Sequence, residues 1–295
     1  MVGVAQLDYS LATPVRDEAE NLRRLFGCLA GQSLTPGQWI IVDNGSSDGT
    51  LELTRELEAA NDWVKVVSVP GTREAEPGAP IVRAFTAGVA ALDRQPAIVV
   101  KLDADVSMDS DYFERLADAF ADDPALGIAS GNCLEHGKNG WEATHVTEAH
   151  VRGATRAYRW ECFEAVSPLE EVVGWDGVDE LKANAKGWTT KVVPGLVFYH
   201  HRRLGERDGG AARWIRQGRA AHYMGYRPSY LVARTLHRTR QNPAALAMLW
   251  GYAAAAVRRG EQNEDPSVRA VLRDRQRLRN LRKRAREAAG QPTVR

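Results

Sequence analysis

Two aspartates one residue apart, Asp103 and Asp105, are the residues of this chain whose types and spacing most clearly suggest chemistry. They follow four apolar residues, 97–100, three of them β-branched, a run that predicts a buried parallel strand. Because side chains alternate along a strand, both carboxyl groups should point the same way, at the end of the sheet where open α/β folds bind ligands. Adjacent carboxylates repel each other unless a cation lies between them. The pair therefore predicts a hard divalent cation held against a nucleotide diphosphate, and the alternative is a solvated turn, where aspartate is common.

A second polar loop, residues 44–49, follows a run that predicts another buried strand, Trp39–Asp43. Its sequence, Asn-Gly-Ser-Ser-Asp-Gly, is neither the dinucleotide-binding Gly-x-Gly-x-x-Gly nor a P-loop, which argues against a dehydrogenase and a P-loop nucleotidase. Asp43, at the strand tip, can accept hydrogen bonds from a nucleobase or a ribose. The alternative is a turn in which Asp and Ser only cap backbone amides.

The elements that must position these loops are strands alternating with helices over residues 7–131, which predicts an α/β fold with a parallel sheet. Thr50 is expected to cap the next helix, and Asp111 to open a later one in a capping box with Glu114. Residues 156–166 are expected to be helical, residues 192–199 to form a late strand, and the chain from residue 209 onward to be helical.

Composition and charge limit the class of protein. The chain has 295 residues, 44% of them hydrophobic and 26% charged, which is ordinary for a soluble globular protein. The formal net charge of +1 predicts no nucleic-acid partner. Three cysteines without metal-type spacing predict reduced thiols in a cytoplasmic protein. The first ten residues predict no signal peptide, and the longest apolar stretch, 244–257, is too short to span a bilayer.

Three motifs in sequence order resemble those of family 2 glycosyltransferases. They are Thr-Pro-Val-Arg-Asp-Glu at 13–18, Ile-Ile-Val-Asp-Asn-Gly-Ser-Ser-Asp-Gly-Thr at 40–50, and Lys-Leu-Asp-Ala-Asp at 101–105. The resemblance covers about residues 11–201 and implies a GT-A fold, in which a nucleotide-binding α/β half joins an acceptor half. It also implies transfer of a sugar from a nucleotide-sugar with inversion, aided by Mg²⁺ or Mn²⁺.

The resemblance assigns roles to individual residues. The residues implied to contact the nucleotide-sugar are Thr13, Pro14, Arg16, Glu18, Asp43, Asn44, Lys101 and Asp103. Within this set, Asp43 is expected to contact the base, and Asn44 departs mildly from the family's commoner second aspartate. The residues implied to bind the metal are Asp103, Asp105 and His200. Side chains of His200 and His201 should point to opposite faces of a strand, so at most one of them reaches the site. Arg202 or Arg203 is a candidate to neutralise the departing diphosphate.

The segment 174–181, Gly-Trp-Asp-Gly-Val-Asp-Glu-Leu, resembles the family's acidic acceptor motif. There one carboxylate removes the proton of the acceptor hydroxyl, opposite the leaving nucleotide. Asp179 is the first choice as this base, Asp176 and Glu180 are alternatives, and Asp179 is otherwise a helix cap. Trp175 is either a platform for a sugar ring or part of the core.

The last part of the chain differs in character. Between residues 269 and 286 there are nine Lys or Arg residues against one acid, Asp274. The chain therefore divides into a GT-A domain at 7–205, with halves 7–131 and 132–205, and a helical extension at 206–295 with a basic tail. Peripheral membrane contact is predicted from aromatic residues that stand among arginines, namely Tyr223, Tyr226, Tyr230 and Trp250. The alternatives are a solvated extension, or a homodimer formed through Val271, Leu278, Leu281 and Ala285.

These features together predict a metal-dependent, inverting glycosyltransferase. It would move a sugar from a nucleotide-sugar, with a UDP-sugar preferred, to a hydroxyl of a glycan or a lipid-linked acceptor in cell-surface polysaccharide or glycoconjugate synthesis. One alternative is a nucleotidyltransferase, which would need a Gly-rich basic loop that residues 13–18 do not provide. The other is a non-catalytic scaffold, which would show no metal-dependent nucleotide binding.

Overall fold

The computed structural model describes residues 6–71, 79–137, 140–143, 150–202, 210–240 and 242–277. Within these ranges one mixed sheet forms the centre of the molecule. Its strands in chain order are β1 (Tyr9–Val15), β2 (Trp39–Asp43), β3 (Val64–Ser68), β4 (Ile98–Leu102), β5 (Val106–Met108), β6 (Leu126–Gly137), β7 (Gly140–Ala143), β8 (Thr155–Arg159) and β9 (Thr189–His200).

Helices flank this sheet and continue beyond it. In chain order they are α1 (Ala19–Ala30), α2 (Thr50–Ala60), α3 (Ala79–Ala90), α4 (Tyr112–Asp122), α5 (Trp160–Val166), α6 (Trp175–Ala185), α7 (Gly210–Tyr223), α8 (Pro228–Thr239), α9 (Ala247–Val257) and α10 (Pro266–Arg275). A short 3₁₀ helix, Pro243–Leu246, leads into α9.

The strands run in the order β3-β2-β1-β4-β8-β6-β9-β5, with β7 beside β6. The first four are parallel, as predicted, because helices connect them in βαβ crossovers. Beyond β4 the sheet becomes mixed, since β8 is antiparallel to both β4 and β6, and β9 is parallel to β6 but antiparallel to β5. The parallel arrangement of the sheet is thus concentrated in the first half of the chain.

Two apolar cores cover the two faces of the sheet. Leu22 of α1 and Phe113 of α4 lie on one face. Phe85 of α3 and Phe163 of α5 lie on the other. The strands between them, such as β2 with Ile40 and Ile41 fully buried, read as continuous apolar runs because both faces are covered. The sheet is therefore held rigidly enough to fix the loops at its carboxyl edge.

Three local predictions are wrong. The segment predicted as a helix at 156–166 begins as strand β8, and only Trp160–Val166 is helical. Thr50 is the first residue of α2 rather than its cap, because its hydroxyl donates to Asp48 and accepts from the backbone N–H of Glu18 at 2.8 Å. Asp111 does precede α4, but its side chain forms no capping hydrogen bond. For β8 and for Thr50, contacts distant along the chain prevail over the local pattern.

The C-terminal helices pack on the sheet domain and on one another. Val268 and Leu272 of α10 form an apolar cluster with Val178 and Leu181 of α6. Helices α7 and α9 approach backbone to backbone: a Cβ added at Gly251 would lie 2.1 Å from the carbonyl oxygen of Ile215. The domain boundary at residue 205 stays a prediction.

The tail beyond residue 277, including Leu278, Leu281 and Ala285 of the predicted dimer contact, lies outside the described residues. The helix expected through residue 289 is described only as far as Arg275. No helix in the described ranges is long and apolar enough to cross a membrane.

Candidate active site

A cleft of about 670 Å³, counting its open mouth, lies at the carboxyl ends of β1, β2 and β4. It gathers residues from all three sequence motifs and from the end of β9. Its lining consists of Pro14, Val15, Arg16, Glu18, Asn44, Pro80, Ile81, Asp103, Ala104, Asp105, His200 and Arg202. Six of the residues assigned to the nucleotide-sugar or metal on sequence grounds thus meet here with His200, far along the chain.

Asp103, Asp105 and His200 each offer a ligand atom, and these atoms lie within 4.8 Å of one another. The aspartates stand in the turn between β4 and β5, and His200 is brought to them because it pairs with Val106 in the antiparallel contact of β9 with β5. Two carboxylates and one imidazole form a donor set suited to Mn²⁺ or Mg²⁺, as predicted from the sequence.

Charged neighbours set the ionisation of the two aspartates. The ammonium group of the buried Lys101 pairs with Oδ1 of Asp103, yet burial and the charge of Asp105 still raise the pKa of Asp103. Burial also opposes ionisation of Asp105, but the hydrogen bond and charge of His200, with the charge of Arg202, outweigh it and lower the pKa of Asp105. The site thus holds paired acidic groups in a mainly cationic surrounding.

Arg202 contacts two acidic residues of the cleft lining, Glu18 and Asp105. Its Nη2 donates to Oε2 of Glu18 at 2.7 Å, and its Nη1 lies 3.5 Å from Oδ2 of Asp105. A guanidinium in this position faces the same space as the paired carboxylates, where it is suited to a phosphate. Arg203, the other candidate, lies outside the described residues.

The two neighbouring histidines diverge as predicted. Nε2 of His200 lies 3.2 Å from Oδ1 of Asp105, whereas Nε2 of His201 lies 2.7 Å from Oγ of Ser107. The other ring nitrogen of His200, Nδ1, lies 4.0 Å from Oε1 of Glu135. This carboxylate oxygen also accepts a hydrogen bond from Nη1 of Arg152 at 2.8 Å. Burial lowers the pKa of His200, but the carboxylates of Asp105 and Glu135 raise it overall to about 11. Sequence reasoning missed Glu135, because nothing marks it within β6.

Three of the residues assigned to the nucleotide do not line the cleft: Thr13, Asp43 and Lys101, whose ammonium group pairs with Asp103. Thr13 is buried, and its hydroxyl accepts from the indole N–H of Trp39 at 2.8 Å. The carboxyl group of Asp43 accepts from the backbone N–H groups of Gly45 and Ser46, each at 3.2 Å. Asp43 shapes the loop after β2, whereas Thr13 joins β1 to β2, and the assignment of all three residues to the nucleotide stays a prediction.

Asp17 is a loop residue that joins the first two motifs, a contact that the sequence did not reveal. Its Oδ1 accepts from the backbone N–H of Ser47 at 2.7 Å and of Asp48 at 3.3 Å, which joins the first motif to the second. Its φ of 55° lies in the left-handed region, an uncommon place for a residue other than glycine. A residue held there by several hydrogen bonds fixes the loop after β1.

Asp179, the first choice as the base, does not face the cleft. It is 2% exposed, its Oδ1 accepts from Nη2 of Arg156, and its Oδ2 accepts from the hydroxyl of Tyr158. Burial raises the pKa of Asp179 to about 7, although Arg156 and Tyr158 oppose the shift. Arg156 and Tyr158 lie on one side of β8, a contact hidden from sequence reasoning that took this segment as a helix.

Glu180 is also buried, at 4% exposure. Its Oε1 accepts from the backbone N–H of Val151 at 2.7 Å and lies 3.1 Å from Nδ1 of His150. Burial works against ionisation of Glu180, but His150 and Arg156 lower its pKa. Neither Glu180 nor Asp179 therefore presents a free carboxyl group to an incoming substrate.

Asp176 is placed differently, in the first turn of α6 with 27% of its side chain exposed. A Cβ added at Gly153 would lie 3.9 Å from its Oδ2, and the next residue, Ala154, accepts from the backbone N–H of Asp103 at 2.8 Å. Trp175 beside it is mostly buried, with its ring 5.9 Å from Nζ of Lys101, so it belongs largely to the core. Asp176 thus stands close to Gly153, beside the residue that accepts from Asp103, but it is not among the residues that line the cleft.

The sequence resembles known glycosyltransferases. The curated protein Glycosyltransferase AglE of Haloferax volcanii is 24% identical over 165 residues, which cover 55% of this chain and 47% of AglE. The chain therefore spans about half the length of that relative.

Solved structures share the fold. Mannosyltransferase PcManGT from Pyrobaculum calidifontis, in complex with GDP-Man and Mn²⁺, matches with a TM-score of 0.56 at 16% identity, over 97% of this chain and 85% of that one. S. aureus TarS 1-349, in complex with UDP-GlcNAc, matches with a TM-score of 0.52 at 18% identity, over 73% of this chain and 66% of that one. At these identities the likeness shows the fold alone, which is of the GT-A kind.

The model of the family described as Glycosyl transferase family 2 matches residues 10–167, more than half of the chain and all three of the motifs that meet in the cleft. We conclude that this chain belongs to glycosyl transferase family 2.

Proposed function

We propose that the chain transfers a sugar from a nucleotide-sugar, with a UDP-sugar preferred, to the hydroxyl of a glycan or a lipid-linked acceptor, with inversion and with a bound divalent cation. The observation that carries this proposal is the convergence of Asp103, Asp105 and His200 in a cleft also lined by Arg202. Oxygen and imidazole ligands close to a guanidinium fit a nucleoside diphosphate together with its metal.

The donor half of the reaction follows from the cleft. Among the residues that line the cleft, Arg16 and Asn44 would contact the nucleotide, and Asp103 and Asp105 would hold Mg²⁺ or Mn²⁺ with His200 against the pyrophosphate. A cation bound there supplies charge neutralisation for the diphosphate as the glycosyl bond breaks. Arg202, held by Glu18, stabilises the same developing negative charge through its guanidinium.

For the acceptor half we propose Asp176 as the base, because Asp179 and Glu180 are enclosed by their partners. Asp176 has the most exposed side chain of the three acids, at 27%, and its Oδ2 lies 4.0 Å from Nε2 of His150, while its backbone carbonyl oxygen accepts from Nη2 of Arg156 at 2.7 Å. Arg156, which also holds Asp179 and Glu180, thus fixes the first turn of α6. Inversion requires a base on the face of the sugar opposite the leaving diphosphate, and Asp176 takes the hydroxyl proton as the new bond forms.

A role in cell-surface polysaccharide or glycoconjugate synthesis is part of the proposal. It is supported by the family to which the chain belongs.

A screen of nucleotide-sugars with Mn²⁺ tests the proposal most simply. Each donor is incubated with the protein, and release of its nucleoside diphosphate is measured with and without EDTA, and again with Asp105→Asn. Metal-dependent release from one or a few UDP-sugars, lost in the variant, is expected. Once an acceptor is found, the anomeric configuration of the product, read by NMR, must be inverted. Release that is unchanged by EDTA and by the variant, or a retained configuration, contradicts the proposal.

A further inference from the structure

The C-terminal helices carry an unusual concentration of positive charge. Between residues 210 and 260 there are nine arginines and neither a lysine, an aspartate nor a glutamate. These residues include α7, α8, the 3₁₀ helix and α9, and none of them is acidic. The net charge of the whole chain is nevertheless only +1, because acidic residues elsewhere in the chain offset these arginines.

Several of the arginines lie near one another. Burial lowers the pKa of Arg238 of α8, and the nearby charges of Arg234 on the same helix and of Arg213 on α7 lower it further. In the part of the chain that the structure describes, no carboxylate forms an ion pair with any of the three. Like charges held together are unfavourable unless an external anion accompanies them, so these helices are suited to an anionic partner.

The same helices expose apolar side chains. On α8, Val232 and Leu236 stand one turn apart and are 44% and 56% exposed. Across the 3₁₀ helix and α9, Leu246, Trp250 and Val257 are 54%, 69% and 84% exposed and share one helical face.

That face of α9 points away from its packing contacts, which are made by Met248 and by Gly251 against α7. Residues 246–257 include no charged residue, so the outward face of α9 is wholly apolar. A continuous apolar helix face on a solvent-exposed surface marks an interaction site.

We propose that the exposed apolar residues of α8, the 3₁₀ helix and α9, of which Trp250 is the largest, dock on a lipid bilayer that contains anionic lipids. Apolar side chains flanked by arginines match a membrane interface, where the rings and aliphatic groups enter the acyl boundary and the guanidinium groups bind anionic headgroups. Exposed arginines border the apolar residues on both helices: Arg240 lies one turn beyond Leu236, and Arg258 and Arg259 follow Val257 directly.

Two of the aromatic residues from which membrane contact was predicted, Tyr223 and Tyr226, instead contact other residues of the protein. The hydroxyl of Tyr223 donates to Glu170 at 2.5 Å, and Tyr226 packs under Arg234 and accepts from its Nη1 at 3.2 Å. Trp250, by contrast, has no ring contact with another aromatic residue or with a cation among the described residues, and stands in solvent. The docking surface therefore rests on Trp250 and its aliphatic neighbours.

This surface also bears on the acceptor, a consequence that rests on the proposed function. Helix α10 packs on α6, the helix that carries Asp176, and the same C-terminal unit bears the apolar surface. Docking would bring the acceptor side of the enzyme close to a bilayer, where a lipid-linked acceptor presents its hydroxyl.

Vesicle flotation tests the docking without any donor or metal, so that its outcome is independent of sugar transfer. The protein is mixed with vesicles of phosphatidylcholine alone or with added phosphatidylglycerol, at low and at high salt. We expect flotation with the anionic vesicles at low salt and much less at high salt or with phosphatidylcholine alone. Trp250→Ala should weaken binding about tenfold or more, and Arg258→Gln with Arg259→Gln should weaken it by about fivefold per charge.

Trp141→Ala is the matched control, because Trp141 is an exposed tryptophan on β7, and its vesicle binding should equal that of the parent protein. All these substitutions are at exposed positions, and thermal melts confirm that the variants stay folded. Three results would overturn the proposal: no flotation with anionic vesicles, equal flotation of the Trp250→Ala and parent proteins, or a dimer in light scattering that Trp250→Ala dissociates. The last would show that a second copy of this chain covers the surface.

Discussion

Nε2 of His200, at the end of β9, lies 3.2 Å from Oδ1 of Asp105, in the turn that follows β4. This contact joins residues far apart in sequence because β9 runs antiparallel to the short strand β5, with His200 opposite Val106. The next residue, His201, turns to Ser107 on the other side. One position on a strand therefore decides whether an imidazole reaches the paired carboxylates.

His200→Gln and His201→Gln form a matched pair that tests this relationship. His200→Gln should weaken Mn²⁺-dependent UDP binding by about tenfold or more, because the site loses one of three ligands held close together. His201→Gln should leave it nearly unchanged. Isothermal titration with UDP in the presence of Mn²⁺ measures both. An equal loss of UDP affinity in both variants would mean that binding depends on the backbone at the end of β9 and not on the imidazole of His200.

Asp176→Asn and Asp179→Asn separate the chemistry of the acceptor motif from its packing. Asp176→Asn should lower the transfer rate by about 10²–10⁴-fold because the proton acceptor is lost. UDP and Mn²⁺ binding should be unchanged and the melting temperature nearly so, since the closest ion pair that Asp176 forms among the described residues is its 4.0 Å contact with His150. Asp179→Asn should lower the free energy of unfolding by about 3–5 kcal/mol, because the buried Arg156 then lacks its carboxylate partner.

Steady-state kinetics and urea unfolding measure these two effects. Full transfer activity in Asp176→Asn would refute the assignment of the base. A stable but inactive Asp179→Asn variant would return that role to Asp179.

Gly251→Ala should destabilise the C-terminal helices by about 3 kcal/mol or more. The added Cβ would meet the backbone of α7 at 2.1 Å, and a backbone cannot move aside as a flexible side chain can. Gly27→Ala is the control, because Gly27 lies inside α1 with nothing within 4 Å of the added Cβ, and it should be neutral or stabilising by up to about 1 kcal/mol. Thermal melts followed by circular dichroism distinguish the two. Equal melting temperatures would show that α7 and α9 are not closely packed.

His150 gives the protein a pH-dependent contribution to stability. Burial lowers its pKa, but Glu180 and Asp176 outweigh burial and Arg156 and raise the pKa above 6.5. The folded state therefore binds the proton more tightly than the unfolded state. The stabilisation is complete below the unfolded pKa of about 6.5 and is lost as the pH rises through the raised folded pKa.

Urea unfolding of the parent protein and of His150→Gln from about pH 5 to about pH 9 checks this dependence. The parent should be more stable by about 0.5–1 kcal/mol at the acidic end, a modest value because the His150 side chain is 37% exposed and solvent screens the pair. The difference should shrink as the pH rises. A difference that grows with pH would mean that His150 is not charged in the folded protein.

The strands and loops of the nucleotide half were predictable from the sequence because their signals are local. Trp39–Asp43 is a buried apolar run that ends in turn residues, and the structure has a strand with those same bounds. The paired aspartates were identified in the same way, since a short spacing at a strand end is visible in one chain. Their proximity to His200 followed only from the resemblance, because pairing of β9 with β5 leaves no local trace.

The acceptor half was harder to predict because its polar residues are paired across the fold. Arg156 and Tyr158 on β8 enclose Asp179, and a segment with Arg and Tyr two residues apart gives no sign that both point at one carboxylate. Sequence alone could not tell Asp176 from Asp179, since both stand near the start of α6. Burial, which only the fold decides, separates them.

Calorimetric titration of UDP into the protein, with Mn²⁺ and then with EDTA, tests the metal-assisted donor site most directly, and the Asp105→Asn variant accompanies the parent protein. We predict that the parent protein binds UDP with Mn²⁺ and at least about tenfold more weakly with EDTA, and that Asp105→Asn loses this dependence on the metal. Equal UDP affinity with Mn²⁺ and with EDTA in the parent protein would contradict the account.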